Sequence, residues 1–361
     1  MTFSPVGRSR KQSGNSHRQD PSDESGSSYE KPPSAFPDGV KVLHDCADAA
    51  VDICFVHGLT GDRDSTWTAQ GEFWPQTLLP LKLPGARILS YGYDAYIAKA
   101  TSTASENRLI DHATNLLTDL TNDRALNDAP NRPLIFIAHS LGGLVCKETI
   151  LMSRNNPEHH LRGIFESLRG IVFMGTPHKG SWVADWAKIP ASALGLIKST
   201  NKSLLQILET NNQLLESLQI RFWSMIRELR EDGRRLEVTC FFEELPLPVV
   251  GKVVSKESAT LEGYSAFSIH ANHGDMVRFR SVEDNGYKRL LGELVRWKAQ
   301  LSAPASAAAS RAETQANQRF GSSYNHFGSG LQFNAPGGTQ NNNTGNGVQF
   351  LGSISGPVQF G

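Results

Sequence analysis

The chain has 361 residues, 39% of them hydrophobic, and its 36 basic residues balance 36 acidic ones. That is enough apolar material for one large domain with appendages, and there is no net charge to draw the molecule toward nucleic acid. Four cysteines, Cys46, Cys54, Cys146 and Cys240, stand too far apart for a C-x-x-C pair and are too few for a secreted disulfide scaffold, so they read as reduced thiols of a cytoplasmic protein. No run approaches the roughly 18 apolar residues of a membrane span. The polar opening MTFSPVGRSRKQ has no signal-peptide core, which argues against secretion.

In chain order, residues 1–37 are Ser, Pro, Gly and charged types that bury too little to offset backbone ordering, and are expected to be a disordered arm. From about Val40 the texture becomes short apolar runs separated by amphipathic segments. Strands are expected at VDICFVHG (51–58) and ARILSYGY (86–93), followed by a helix over 106–123 with Leu109, Ala113, Leu116, Leu117 and Leu120 at helical spacing. Further strands are expected at PLIFIAHS (133–140), GIVFMGTP (170–177) and LEVTCFFEE (236–244), with GKVVSKESA (251–259) as a shorter one. The insertion 181–235 is expected to form a helical cap, and a closing helix over 285–301 carries Leu290, Leu291, Leu294, Val295 and Trp297 as its stripe. Alternation of this kind predicts an α/β domain over 38–302, with a mostly parallel central sheet and helices on both faces. Residues 303–319 are small and polar, a linker by composition.

The strongest chemical signal is LIFIAHSLGGLVCKE (134–148): an apolar strand runs into a sharp turn at Ser140 and then into a helix. This is the strand, nucleophile elbow and helix of the α/β-hydrolase fold, with Ala138 and Gly142 as the small flanking residues and the Leu141 backbone N–H offered to an oxyanion. The strand end CFVHGLTGDRDSTW (54–67) makes Leu59 the candidate for the second N–H. The fold's chain order of serine, acid, histidine then directs attention downstream. Glu243 and Glu244 end one strand and point to opposite faces; Glu243 is the choice as acid and Glu244 the alternative. His270 and His273 share the loop before the last helix, with His273 preferred and His270 the alternative base. His57, His139 and His178 are assigned lining or structural roles, and His159 and His160 an exposed polar loop.

VHGLTGDRDSTW, ILSYGYDA, IAHSLGGLV, GIVFMGTPHKGS, FFEELP and HGDMVRF, in this order, resemble the lipase-like α/β-hydrolases grouped with the eukaryotic serine-active-site protein of mitochondria and endoplasmic reticulum. The resemblance covers roughly residues 40–300. It implies Ser140 as nucleophile, Glu243 as acid and His273 as base, the family's His-x-x-Met-x-x-Phe being met by His273, Met276 and Phe279. It also implies acyl transfer from a lipid or other apolar ester without cofactor or metal, and peripheral contact with a mitochondrial, endoplasmic-reticulum or plasma membrane. The competing expectation is a signalling adaptor whose hydrolase fold is only a scaffold.

Residues 320–361 contain no Asp, Glu, Lys or Arg and repeat one unit three times, as GLQF (330–333), GVQF (347–350) and PVQFG (357–361), between Gly/Asn-rich spacers. Short apolar strands, Gln and Asn for ladders, glycines for arcs and no repelling charge are what a cross-β stack needs. The segment resembles the sigma-type amyloid motif of fungal NOD-like-receptor effector proteins. That resemblance implies self-assembly through 320–361, a receptor with a matching motif as partner, and control of an immunity or cell-death effector.

Overall fold

The computed structural model describes residues 37–58, 61–93, 104–179, 212–248 and 251–301. Leu59, most of the expected arm, the first part of the expected cap, the linker and the repeat segment lie outside the described residues.

A seven-stranded sheet organises the domain. Its strands are β1 (Gly39–His44), β2 (Val51–Val56), β5 (Ala86–Gly92), β6 (Leu134–His139), β7 (Leu168–Met174), β8 (Glu237–Glu243) and β9 (Ser265–Ile269), while β3 (Thr68–Ala69) and β4 (Glu72–Phe73) form a separate small hairpin. The order across the sheet is β1-β5-β2-β6-β7-β8-β9, parallel throughout except for β1, which runs antiparallel to β5. The connections carry α1 (Trp74–Thr77), α2 (Leu79–Lys82), α3 (Ala104–Leu126), α4 (Gly142–Arg154), α5 (His159–Ser167), α6 (Asn212–Glu231) and α7 (Asn285–Leu301). This strand order, with the serine turn between β6 and α4, is the α/β-hydrolase fold.

The inner strands are mostly apolar because both faces are covered. Buried charges within them are paired, Asp52 of β2 with Arg124 at 2.8 Å and Arg87 of β5 with Asp123 at 2.7 Å. In β2, Cys54 and Val56 enter one apolar layer while Ile53 and Phe55 enter the other, and β6 divides the same way, with Phe136 and Ala138 against Ile135 and Ile137. α3 and α4 lie in the first layer through Leu116, Leu117, Leu144 and Val145, and α7 in the second through Tyr287, Leu290, Leu294 and Trp297. α7 starts where Asp284 Oδ1 accepts the backbone N–H of Gly286 at 2.7 Å and of Tyr287 at 3.3 Å, a side-chain cap for otherwise unpaired donors.

Several expectations change. Residues 251–259 are not a strand: the segment holds one isolated antiparallel bridge, Leu247 to Gly251, and buries Val253 and Val254 as a loop. The strand beyond β8 is instead β9, an edge strand whose first residues, Ser265 and Ala266, are exposed, so it lacks the apolar run that marks the inner strands. β1 is a second edge, with Val42 44% exposed. His159 and His160 are exposed but open α5 instead of sitting in a loop. α6 buries Leu218, Phe222, Met225 and Ile226 in the layer that holds α3 and α4, so this part of the insertion covers a sheet face. No helix of the described residues is long and apolar enough to cross a membrane.

Candidate active site

β6 ends at His139 and α4 begins at Gly142, which leaves two residues to reverse the chain. Ser140 makes that turn at φ +54°, a left-handed conformation costing roughly 1–2 kcal/mol for a residue with a side chain. Neighbours hold it there. Its N–H donates to the Met174 carbonyl at 2.9 Å, and the His57–Gly58 strand end packs so tightly behind it that a methyl group on Gly142 would lie 2.3 Å from the His57 carbonyl oxygen. The glycine at position 142 is thus a packing requirement of the turn. Leu141 is the N-cap residue of α4, so its backbone N–H lies at the positive end of that helix.

The loop after β9 brings His273 to this turn. Its Nε2 lies 3.0 Å from Ser140 Oγ, and its Nδ1 lies 3.8 Å from Oε2 of Glu243, the last residue of β8. All three residues are buried. Glu243 is held from the other side by the Val254 N–H, which donates to Oε1 at 2.7 Å, so the loop that fails to form a strand serves as a clamp on the carboxyl. Gly175, at φ +61°, admits the imidazole: a methyl group there would lie 2.9 Å from His273 Cε1.

Burial, and then the neighbouring His139, push the His273 imidazole well below its usual value, so it is neutral at physiological pH. Burial raises Glu243 to about 7 against the opposing pull of the Val254 and Val253 N–H groups and Lys252. A neutral imidazole with a bare Nε2 can accept the Ser140 proton, and its Nδ1–H then faces Glu243. The 3.8 Å gap is longer than a hydrogen bond and within the range that tightens when charge develops on the ring.

The two alternatives go elsewhere together. His270 Nδ1 and Glu244 Oε2 lie 2.8 Å apart, with side chains 78% and 39% exposed. His57 stacks on Tyr93 with ring centroids 4.4 Å apart, donates from Nδ1 to its neighbour's carbonyl on Gly58 at 2.7 Å and accepts the Tyr93 N–H at 3.2 Å, which braces the strand end behind the serine. His178 contributes to a polar knot absent from the sequence reading. Lys147, fully buried in α4, places Nζ 2.6 Å from His178 Nδ1 and over the rings of Phe173 and Phe222, and burial lowers it to about 7. A lysine on a helix reads as a solvated face, and only the fold shows otherwise.

Residues 321–361 match the family described as "Sigma domain on NACHT-NTPases". The chain is similar to Protein SERAC1 of Bos taurus, 26% identical over 72% of this chain and 41% of that protein, so it spans about two fifths of that relative's length. Protein SERAC1 of Danio rerio is 31% identical over 42% of this chain and 26% of its own length. Among solved structures, a loop variant of the haloalkane dehalogenase DbeA from Bradyrhizobium elkanii superposes at a TM-score of 0.42, with 12% identity, over 75% of this chain and 95% of that one. The strand order, not this last likeness, defines the fold. The chain thus joins an α/β-hydrolase fold, with similarity to the SERAC1 proteins, to a segment at residues 321–361 that matches the sigma-domain family.

Proposed function

We propose that the protein is a serine esterase that acts by acyl transfer on a lipid or other apolar carboxylic ester. The observation that carries this is the 3.0 Å contact between His273 Nε2 and the Oγ of a serine held at positive φ. Ser140 attacks the ester carbonyl while its proton passes to His273 Nε2; Glu243 faces the imidazolium that forms, and the backbone N–H groups of Leu141 and Leu59 receive the oxyanion. His273 then protonates the leaving alkoxide. Water, deprotonated by the same ring, releases the acid from the acyl-serine.

The match of 321–361 to a sigma domain supports a regulatory role for the repeats: self-assembly templated by a NACHT-bearing receptor would gather the hydrolase domains of a cytoplasmic, membrane-peripheral fungal effector in immunity or cell death. Hydrolysis of p-nitrophenyl esters of increasing chain length, compared between wild type and Ser140→Ala, tests the chemistry, and equal rates in the two proteins overturn it. A 320–361 peptide that stays monomeric, with no cross-β reflection, removes the basis for the regulatory part.

A scaffold without turnover is the second reading, favoured by the 3.8 Å gap between His273 and Glu243 and by a carboxyl that burial holds near 7. A folded wild type with no turnover of any ester would establish it.

A further inference from the structure

His139 adjoins both the nucleophile, which follows it in the chain, and the backbone of the base, and the chemistry above gives it no part. Its ring Nε2 lies 3.0 Å from the backbone carbonyl oxygen of His273, and its centroid lies 4.9 Å from that of the His273 ring. The residue is buried, 8% exposed. A carbonyl oxygen only accepts, so the nitrogen that meets it must carry the proton: His139 is the Nε2–H tautomer. Burial lowers this imidazole to about 4, which keeps it neutral, with one N–H to give. The ring has little freedom to leave the bond. The Trp67 indole meets it edge-on at 6.5 Å, and Nδ1 faces Gly58 closely enough that a methyl group there would lie 3.3 Å away.

The bond joins two segments that are 134 residues apart in sequence and meet at the reacting atoms. On one side is the last residue of β6, covalently next to Ser140; on the other is the peptide of the base itself. A slip between them changes the Oγ to Nε2 distance unless the His139 ring turns to follow it, and the packing of Trp67 and Gly58 against the ring opposes that turn. Geometry at this level matters kinetically: a misplacement of about 1 Å can cost on the order of a hundredfold in rate.

Resting on the assignment of Ser140 and His273 as nucleophile and base, we propose that His139 is a positioning residue, whose Nε2–H holds the His273 backbone so that the imidazole stays in line with Ser140. It touches neither substrate nor the transferred proton, and acts through His273.

Two amide substitutions separate this from simple filling of space. Glutamine places its amide nitrogen near the position of the imidazole Nε2, whereas asparagine reaches only as far as Nδ1. With p-nitrophenyl butyrate and the full chain, His139→Gln is expected to keep kcat within about threefold of wild type. His139→Asn is expected to lower kcat about 10- to 100-fold with KM within about twofold. Equal kcat in the two variants, or a loss confined to KM, overturns the proposal. Nitrogen-15 spectra of the wild-type histidines provide a check that does not depend on any variant folding: protonated Nε2 and bare Nδ1 at His139 are expected, and the opposite tautomer overturns the bond. A wild type no faster than Ser140→Ala overturns the underlying esterase assignment instead, while the tautomer still reports on the His139 contact.

Discussion

Two histidine–glutamate pairs sit at the ends of β8 and β9, built from neighbouring residues, and they could hardly differ more. His270 and Glu244 are 2.8 Å apart and solvated; His273 and Glu243 are 3.8 Å apart and buried. The closer pair is the one exposed to water, and the proposed chemistry rests on the other. Water screens an exposed ion pair until it is worth little, whereas in a buried pair each group's protonation responds to the other and to whatever approaches. Strand alternation produces the division: Glu243 and Glu244 are consecutive, so one side chain enters the protein and the other leaves it. Contact distance alone points to the exposed pair; burial, and a serine at 3.0 Å, are the grounds for proposing the other.

The comparison can be broken most severely at the histidines. His273→Ala should lower kcat/KM about 10⁴-fold, the scale for loss of a base from a triad, and His270→Ala should leave it within about twofold. Ester kinetics on the two purified variants check this, and comparable losses would erase the distinction. The glutamates should show a smaller difference: Glu243→Gln is expected to lower kcat about 10²-fold or more, with Glu244→Gln near wild type.

The pH dependence sharpens the same contrast. Glu243, raised to about 7 by burial, must ionise to support the imidazolium, so kcat/KM should fall as pH drops through about 7, and Glu243→Gln should flatten that limb. Its effect on stability has the opposite sense. The folded state binds this proton more tightly than the unfolded chain does, so the contribution is present below the usual carboxylate value and is lost as pH rises through about 7. Glu243→Gln should therefore raise the Tm at pH 8 while lowering activity, whereas Glu244→Gln should change neither measurably. The buried histidines act the other way. His57 and His139, both lowered to about 4, with His178 and His273 below their usual value, favour the neutral ring, so the stability they contribute is complete above pH 6.5 and is lost as pH falls from there toward 4. A Tm that holds steady between pH 6.5 and 4.5 would contradict their burial.

The inner strands were legible in the sequence because a strand covered on both faces is apolar at every position, as in ICFV and LIFIA. The edges were not. β9 leaves Ser265 and Ala266 in solvent, and GKVVSKESA, for all its Val-Val pair, is a loop, since Val253 and Val254 bury their side chains while the Val254 N–H goes to a carboxylate instead of a neighbouring strand. In the site, Ser140 announced itself through a strand, a turn and a helix, which are local. What fixes its surroundings is not local: the room Gly175 leaves for His273, the tie from His139 to the base loop, and the burial of Lys147 each depend on segments meeting across the fold. No periodicity in one segment encodes them.

The central claim is that Ser140, aligned by His273, is a working nucleophile. A fluorophosphonate bonds far faster to a serine whose proton is being taken than to an unactivated side chain, so mass spectrometry of the proteolysed adduct tests the claim most directly. The account predicts one equivalent of label on the peptide carrying Ser140, greatly slowed in His273→Ala and unchanged in His270→Ala. Label on another residue, or none on folded wild type, would contradict it.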